Sequence, residues 1–92
     1  MSGEQTTEQM LKSAQERKHL LIGSRMTLKA LKNGYAEAVI YASNCPGQTK
    51  DDIIRNGKVG NVKCIQFNGT AKQLGVFLGK PFQVAAIAIK KG

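Results

Sequence analysis

The sequence has no tryptophan, a single histidine, two cysteines and only six acidic residues among 92. Each shortage closes off a class of function. Cys45, Cys64 and His19 form no CxxC or HxxxH spacing, so neither a zinc site nor any other cofactor is expected. Two separated cysteines in a cytosolic chain read as reduced thiols, Cys64 buried within a strand and Cys45 in a loop. His19, between Lys18 and the apolar Leu20-Leu21-Ile22, reads as a surface residue. With no second histidine and so few carboxylates, a nucleophile, a base and an acid cannot be assembled, and no enzyme activity is expected. Cys45 as a nucleophile would find no base beside it in Asn44-Cys45-Pro46. Apolar runs are short as well: none approaches the roughly 20 residues of a membrane span, and no signal-peptide core opens the chain. A cytoplasmic protein without membrane contact is therefore expected. Repeats, linkers and long polar tracts are also missing, so residues 1–92 read as one domain, monomeric when free, with the polar residues 1–7 frayed.

What the chain has is positive charge, +8 in all with a pI near 9.8. Lys12, Arg17 and Lys18 are cancelled by Glu4, Glu8 and Glu16. The whole surplus thus belongs to residues 25–92, where Glu37, Asp51 and Asp52 are the only acids. A field of this kind suits a polyanion, because each neutralised phosphate releases counterions whatever the base sequence. An anionic membrane fits less well, since no amphipathic basic helix gathers the lysines.

Short apolar runs alternate with helical signals. Thr6 or Thr7 can cap a helix through about Lys18, with Met10, Leu11 and Ala14 on one face, and Leu20 to Ile22 is a strand. Ser24 is placed to cap a second helix anchored by Met26, Leu28 and Leu31 and stopped by Asn33-Gly34. Ala38 to Ala42 follows as a strand. Thr49-Lys50-Asp51-Asp52 has the form of a capping box for a third helix carrying Ile53, Ile54 and Val59, weakened near its end by Gly57 and Gly60. Lys63 to Phe67 is the third strand, Thr70 with Gln73 caps a helix from Ala71 to Leu78, and Gln83 to Ile89 is a last strand apolar enough to be covered on both faces. This order predicts an α/β protein, a three-layer α/β/α sandwich around a central four-stranded mixed sheet.

Three reversals stand beside these strands: Gly23-Ser24-Arg25, Ser43-Asn44-Cys45-Pro46 and Gly79-Lys80-Pro81-Phe82. In such a sandwich they would gather at one end of the sheet. Gly23 lacks a Cβ that would hold off a ligand, and the helix amides after it attract phosphate. Arg25 can fork onto phosphate or a guanine edge, Asn44 offers a donor and an acceptor to an unpaired base, and Phe82 can stack on a splayed one. Each also has a structural reading: Gly23 shaping its turn, Asn44 satisfying turn amides before Pro46, Phe82 packed in the core and Lys80 a solvated charge.

Gly23-Ser24-Arg25-Met26-Thr27-Leu28-Lys29, Asn33-Gly34-Tyr35-Ala36 and Val39-Ile40-Tyr41-Ala42-Ser43-Asn44-Cys45-Pro46 resemble the L-thirty-e family of large-subunit ribosomal proteins of archaea and eukaryotes, within the L-seven-Ae superfamily. Phe67-Asn68-Gly69-Thr70, Gln73-Leu74-Gly75 and Leu78-Gly79-Lys80-Pro81-Phe82 continue the likeness over about residues 10 to 90. The resemblance implies a structural protein of the large subunit that binds a kink-turn, a sharply bent RNA element, in ribosomal RNA, beside neighbouring ribosomal proteins. A kink-turn protein of a small RNA-processing ribonucleoprotein is the alternative. The candidate contacts are Gly23, Ser24, Arg25, Lys29, Asn44, Cys45, Lys80 and Phe82. By resemblance, Gly23 gives a close backbone approach, Arg25 a basic contact, Asn44 an amide contact, Phe82 a ring against an extruded base and Lys80 a phosphate partner.

Overall fold

In a computed structural model of the chain, the structure describes residues 7–91; of the residues 1–7 expected to fray only Thr7 is among them, as the first residue of a helix, and the side chain of Met10 lies outside the description. The elements run α1 (Thr7–Glu16), β1 (Leu20–Ile22), α2 (Ser24–Lys32), β2 (Ala36–Tyr41), α3 (Gly47–Val59), β3 (Lys63–Gln66), α4 (Ala71–Phe77) and β4 (Ala86–Lys90). They alternate as the sequence predicts.

The strands form a mixed sheet of order β1-β4-β2-β3, with β4 antiparallel to both β1 and β2 and β3 parallel to β2. It follows that β1, β2 and β3 all point the same way and β4 runs against them. Side-chain alternation along the strands then separates two cores. Ile87 and Ile89 of β4 join Ala38 and Ile40 of β2 against Leu11 and Ala14 of α1 and Leu74 of α4. Ala86 and Ala88 join Val39 and Tyr41 against Ala30 and Leu31 of α2 and Ile53 of α3. This is the three-layer sandwich. Fully burying side chains the size of Ile40 or Ile87 contributes about 1.5–3 kcal/mol each. Pairing shifts register between Ala36 and Ala38, leaving Glu37 as an extra, exposed residue. The bulge changes the phase of β2, so Ala36 packs with Val39 rather than with Ala38.

Local signals explain most boundaries. Thr70 and Gln73 form the expected capping box, and Gly34 takes φ 78 just beyond α2. Two caps differ from expectation. The N-cap of α2 is Gly23 rather than Ser24, with no side-chain cap; the turn is held instead by the buried Thr27, whose Oγ1 donates to the Gly23 carbonyl at 2.8 Å. Helix α3 opens at Gly47 behind Pro46, so Thr49 lies inside the first turn and caps nothing. The fixed φ of proline, here −53°, sets the chain for helix entry earlier than the Thr49 signal does. Strand β4 starts at Ala86, later than expected, because the Val84 amide is committed to the Ala71 carbonyl of α4 at 3.1 Å.

Gly75 of α4 is buried, and a Cβ there would collide with the carbonyl oxygen of Phe82. The returning chain thus lies directly on the helix backbone. Gly75→Ala is expected to cost about 1–3 kcal/mol of stability by overpacking, seen as a lower melting temperature. An unchanged melt would mean that the contact between α4 and residues 82–83 is not held in solution.

Candidate nucleic-acid interface

Strand direction decides where the loops go. Since β1, β2 and β3 are co-directional, the chain leaves all three at one end of the sheet, where β4 begins. Hydrogen bonds tie these exits together. The Gly23 amide donates to the Ala86 carbonyl at 2.9 Å, Ala42 to Ala85 at 2.8 Å and Ser43 to Gly69 at 2.9 Å. Gly23 holds φ 110 and ψ 151, a conformation that side chains rarely adopt, and a Cβ there would meet nothing within 4 Å. Its α-carbon therefore faces open space. Backbone conformation requires the glycine, and the bare surface also lets a ligand approach the main chain.

The first amides of α2 and α3 lack intrahelical acceptors, neither helix has a side-chain cap, and no acidic residue sits in either first turn. Both helices start at this end, so their positive dipole ends face it together. Arg25 and Lys29 are exposed and one turn apart on α2, so they extend the same polarity along one helix face. Ser24 is half-buried in the turn itself.

The amide of Asn44 has an acceptor and donors that its geometry separates. Its Oδ1 accepts from the Ala71 amide at 2.7 Å, satisfying the start of α4 across 27 residues of sequence. A backbone N–H can only donate, so the side-chain carbonyl is fixed inward and the Nδ2 donors are turned the other way. The residue itself is exposed. The structural reading of Asn44 is thus correct in kind, although the amide it satisfies belongs to α4 rather than to its own turn.

Phe82 is 56% exposed and belongs to neither core. It lines a groove of about 510 Å³ with Lys72, Val76 and Lys80, running along the outer side of α4. Lys80 is half-buried there, its amide donating to the Gly75 carbonyl at 2.9 Å. Lys72 and Val76 escaped the sequence reading. The available signal was their i,i+4 spacing on the polar side of a helix that has Leu74 and Gly75 inside.

The thiol of Cys45 does not face this end. Cys45, in a loop as expected, is buried at 8% exposure in the core beneath α2 and α3, whereas Cys64 lies in a strand as expected but is only half-buried there. Burial pushes the Cys45 thiol up, with nearby Lys50 opposing it more weakly, so the thiolate is disfavoured at neutral pH. What Cys45 can offer a ligand is limited to its backbone. Lys50 itself lies over the Tyr41 ring, 5.7 Å from its centroid. Among the described residues, no three of His, Cys, Asp and Glu come together as a possible metal site.

The fold, this end face and the neighbouring groove define a small basic α/β/α module that exposes amides, cations and one aromatic ring. The chain belongs to the ribosomal protein L7Ae/L30e/S12e/Gadd45 family, whose model matches residues 5–92. It is 50% identical over 68 residues to the large ribosomal subunit protein eL30 of Archaeoglobus fulgidus, covering 74% of each chain. With eL30 of Sulfurisphaera tokodaii it shares 37% identity over 82 residues, which is 89% of this chain and 77% of the relative. Among solved structures, a protein of unknown function from Bacillus halodurans superimposes with a TM-score of 0.79 at 25% identity, over 90% of this chain and 82% of that one. The family read from the loop motifs is therefore the right one, and it is a family of non-catalytic proteins.

Stability measurements distinguish the roles of two residues. Asn44→Ala is expected to lose about 0.5–2 kcal/mol through the vacated α4 amide, while Asn44→Asp keeps the acceptor and the melting temperature. Phe82→Ala should melt like the parent, whereas a core phenylalanine would cost about 3–5 kcal/mol. A large loss for Phe82→Ala would remove it from the exposed face.

Proposed function

We propose that this protein is a structural component of the large ribosomal subunit that holds a kink-turn of ribosomal RNA against the loop end of its sheet. The observation that carries the reading is the meeting, at one end, of a bare glycine turn, outward amide donors on Asn44, two open helix N-termini and the nearby exposed ring of Phe82. Backbone at Gly23 and Ser24 and the guanidinium of Arg25 take phosphates or a guanine edge, Lys29 continues the cationic strip, and Lys80 with Lys72 neutralises phosphate beside the ring. Phe82 stacks on a base that the bend has extruded, and Asn44 Nδ2 reads an unpaired base edge. Cys45 supports these contacts by packing the loop from beneath.

The relatives' own names favour ribosomal RNA over the RNA of a small processing particle, since they are large ribosomal subunit proteins. The protein works in the cytoplasm as part of the ribosome, with other ribosomal proteins as neighbours and as a monomer before assembly.

A kinked RNA should outcompete a straight duplex of equal length by at least about tenfold, because its loop bases are readable while A-form grooves are not. Phe82→Ala should weaken the kinked complex by about 1–3 kcal/mol. Arg25→Ala should weaken it and lower the slope of log affinity against log salt by about 1. Equal competition by the duplex at physiological salt would contradict the proposal.

A further inference from the structure

Helix α4 borders a second recess beside the Phe82 groove. It has a volume of about 420 Å³ and is lined by Phe67, Asn68, Lys72, Gln73, Val76 and Phe77. Lys72 and Val76 also line the Phe82 groove, so they form the ridge between the two recesses, which together make one strip along the outer face of the helix. Val76 is 69% exposed on that ridge and belongs to neither core.

Local chemistry fixes the walls of the recess. Phe67 leaves β3 with its amide bonded to the Tyr41 carbonyl at 2.7 Å. Its buried ring packs against the half-buried ring of Phe77, with centroids 5.9 Å apart and planes at 58°. A Cβ on Gly69 would come to 2.9 Å from the Phe67 ring and 2.7 Å from Gln73 Oε1, so the turn backbone lies directly on both side chains. Gln73 Oε1 accepts from the Thr70 amide at 2.8 Å as part of the capping box. A main-chain N–H only donates, so the carbonyl of this side chain is committed and its Nε2 donors are left for the recess. The Gly69 carbonyl accepts from the Ser43 amide at 2.9 Å, which ties this corner to the loop end of the sheet.

We propose that this recess holds a second unpaired nucleobase of the bound RNA, from a nucleotide neighbouring the one on Phe82, with Lys72 on the phosphate between them. The inference deepens the loop-end reading and rests on it. Each part of a nucleotide finds a match: Phe77 and Val76 offer apolar surface to the base, the Nε2 donors of Gln73 meet an acceptor on its edge, and the Lys72 ammonium takes the backbone. Donors facing the recess favour an acceptor edge, such as O6 and N7 of guanine, over an amino edge such as N4 of cytosine. RNA suits the strip better than a protein does. None of the acidic residues lines either recess, whereas Lys72 and Lys80 flank the apolar surface, and the strip continues from the proposed seat of the first base. A stable protein interface takes roughly 20–30 residues a side around a broad apolar centre, and this strip is one helix wide.

The test titrates the full chain with a kinked RNA in which each unpaired nucleotide in turn is made abasic. Val76→Ser and Gln73→Glu should each weaken binding of the intact RNA by about fivefold or more. Glutamate at position 73 keeps the acceptor for the Thr70 amide, so the cap and the melting temperature are retained while the outward donors are lost. Val76→Ser changes an exposed side chain and should melt like the parent. One abasic position is expected to cost the parent about fivefold or more, to cost Val76→Ser and Gln73→Glu little further, and to remain costly in Phe82→Ala. The proposal is overturned if the two recess variants bind the intact RNA within about twofold of the parent, or if they weaken every abasic RNA alike, as plain repulsion of phosphate by the new carboxylate would. It is also overturned if they leave RNA affinity intact and instead abolish capture of an acidic, leucine-rich peptide, which would make the recess a protein site. Failure of the loop-end reading looks different: Arg25→Ala and Phe82→Ala would then leave kinked-RNA binding intact, whereas failure of the recess alone leaves both of those losses in place.

Discussion

The antiparallel placement of β4 in the middle of an otherwise co-directional sheet is the constraint on which the rest of this molecule depends. β4 bonds to β1 on one side and β2 on the other, and its Ala86, Ile87, Ala88 and Ile89 are all buried. Small side chains face α2 and α3, so those helices can approach closely, and branched ones fill the layer toward α1 and α4. With β4 in that place, the exits of β1, β2 and β3 fall at one end and their entries at the other. The gathering of the strand exits at one end follows from strand direction.

At the loop end, the residues proposed to meet RNA also hold the fold together. Asn44 holds the start of α4 with its carbonyl and presents its amino group, so the residue is oriented before any ligand arrives. Thr27 performs a similar service for Gly23 from inside the core, donating to the carbonyl that also starts α2. Gly75 brings the chain bearing Phe82 onto α4, leaving the ring exposed beside Lys72 and Lys80. The proposed RNA contact would therefore require little reorganisation, because loop hydrogen bonds and helix dipoles are already in position.

Much of the fold was legible because local signals agreed with the global architecture. Short apolar runs marked the strands, and Thr70-Gln73 and Asn33-Gly34 marked helix ends by side-chain and backbone chemistry that acts within a few residues. The differences came from longer range. Thr49 resembled a cap, yet Pro46 had already started α3; Gln83 and Val84 resembled strand, yet the Val84 amide was bonded to α4. The bond from Asn44 to the start of α4 depends on a partner 27 residues away, which no local pattern reveals. The inward turn of Cys45 was equally hidden, since a loop cysteine is buried only when a core such as that around Ile53 lies beneath it. At Phe82, sequence alone left core and surface both open, and the close passage over Gly75 explains why the ring is outside.

The central claim, that RNA is held by the loop end of the sheet, is tested most directly by following amide resonances of the labelled protein while a kinked RNA is added. The account predicts the largest shifts at Gly23, Ser24 and Arg25, in the Asn44 side-chain amide and around Lys80 and Phe82, with the Asn44–Ala71 hydrogen bond preserved. Shifts concentrated elsewhere, with these signals unmoved at saturation, would contradict it.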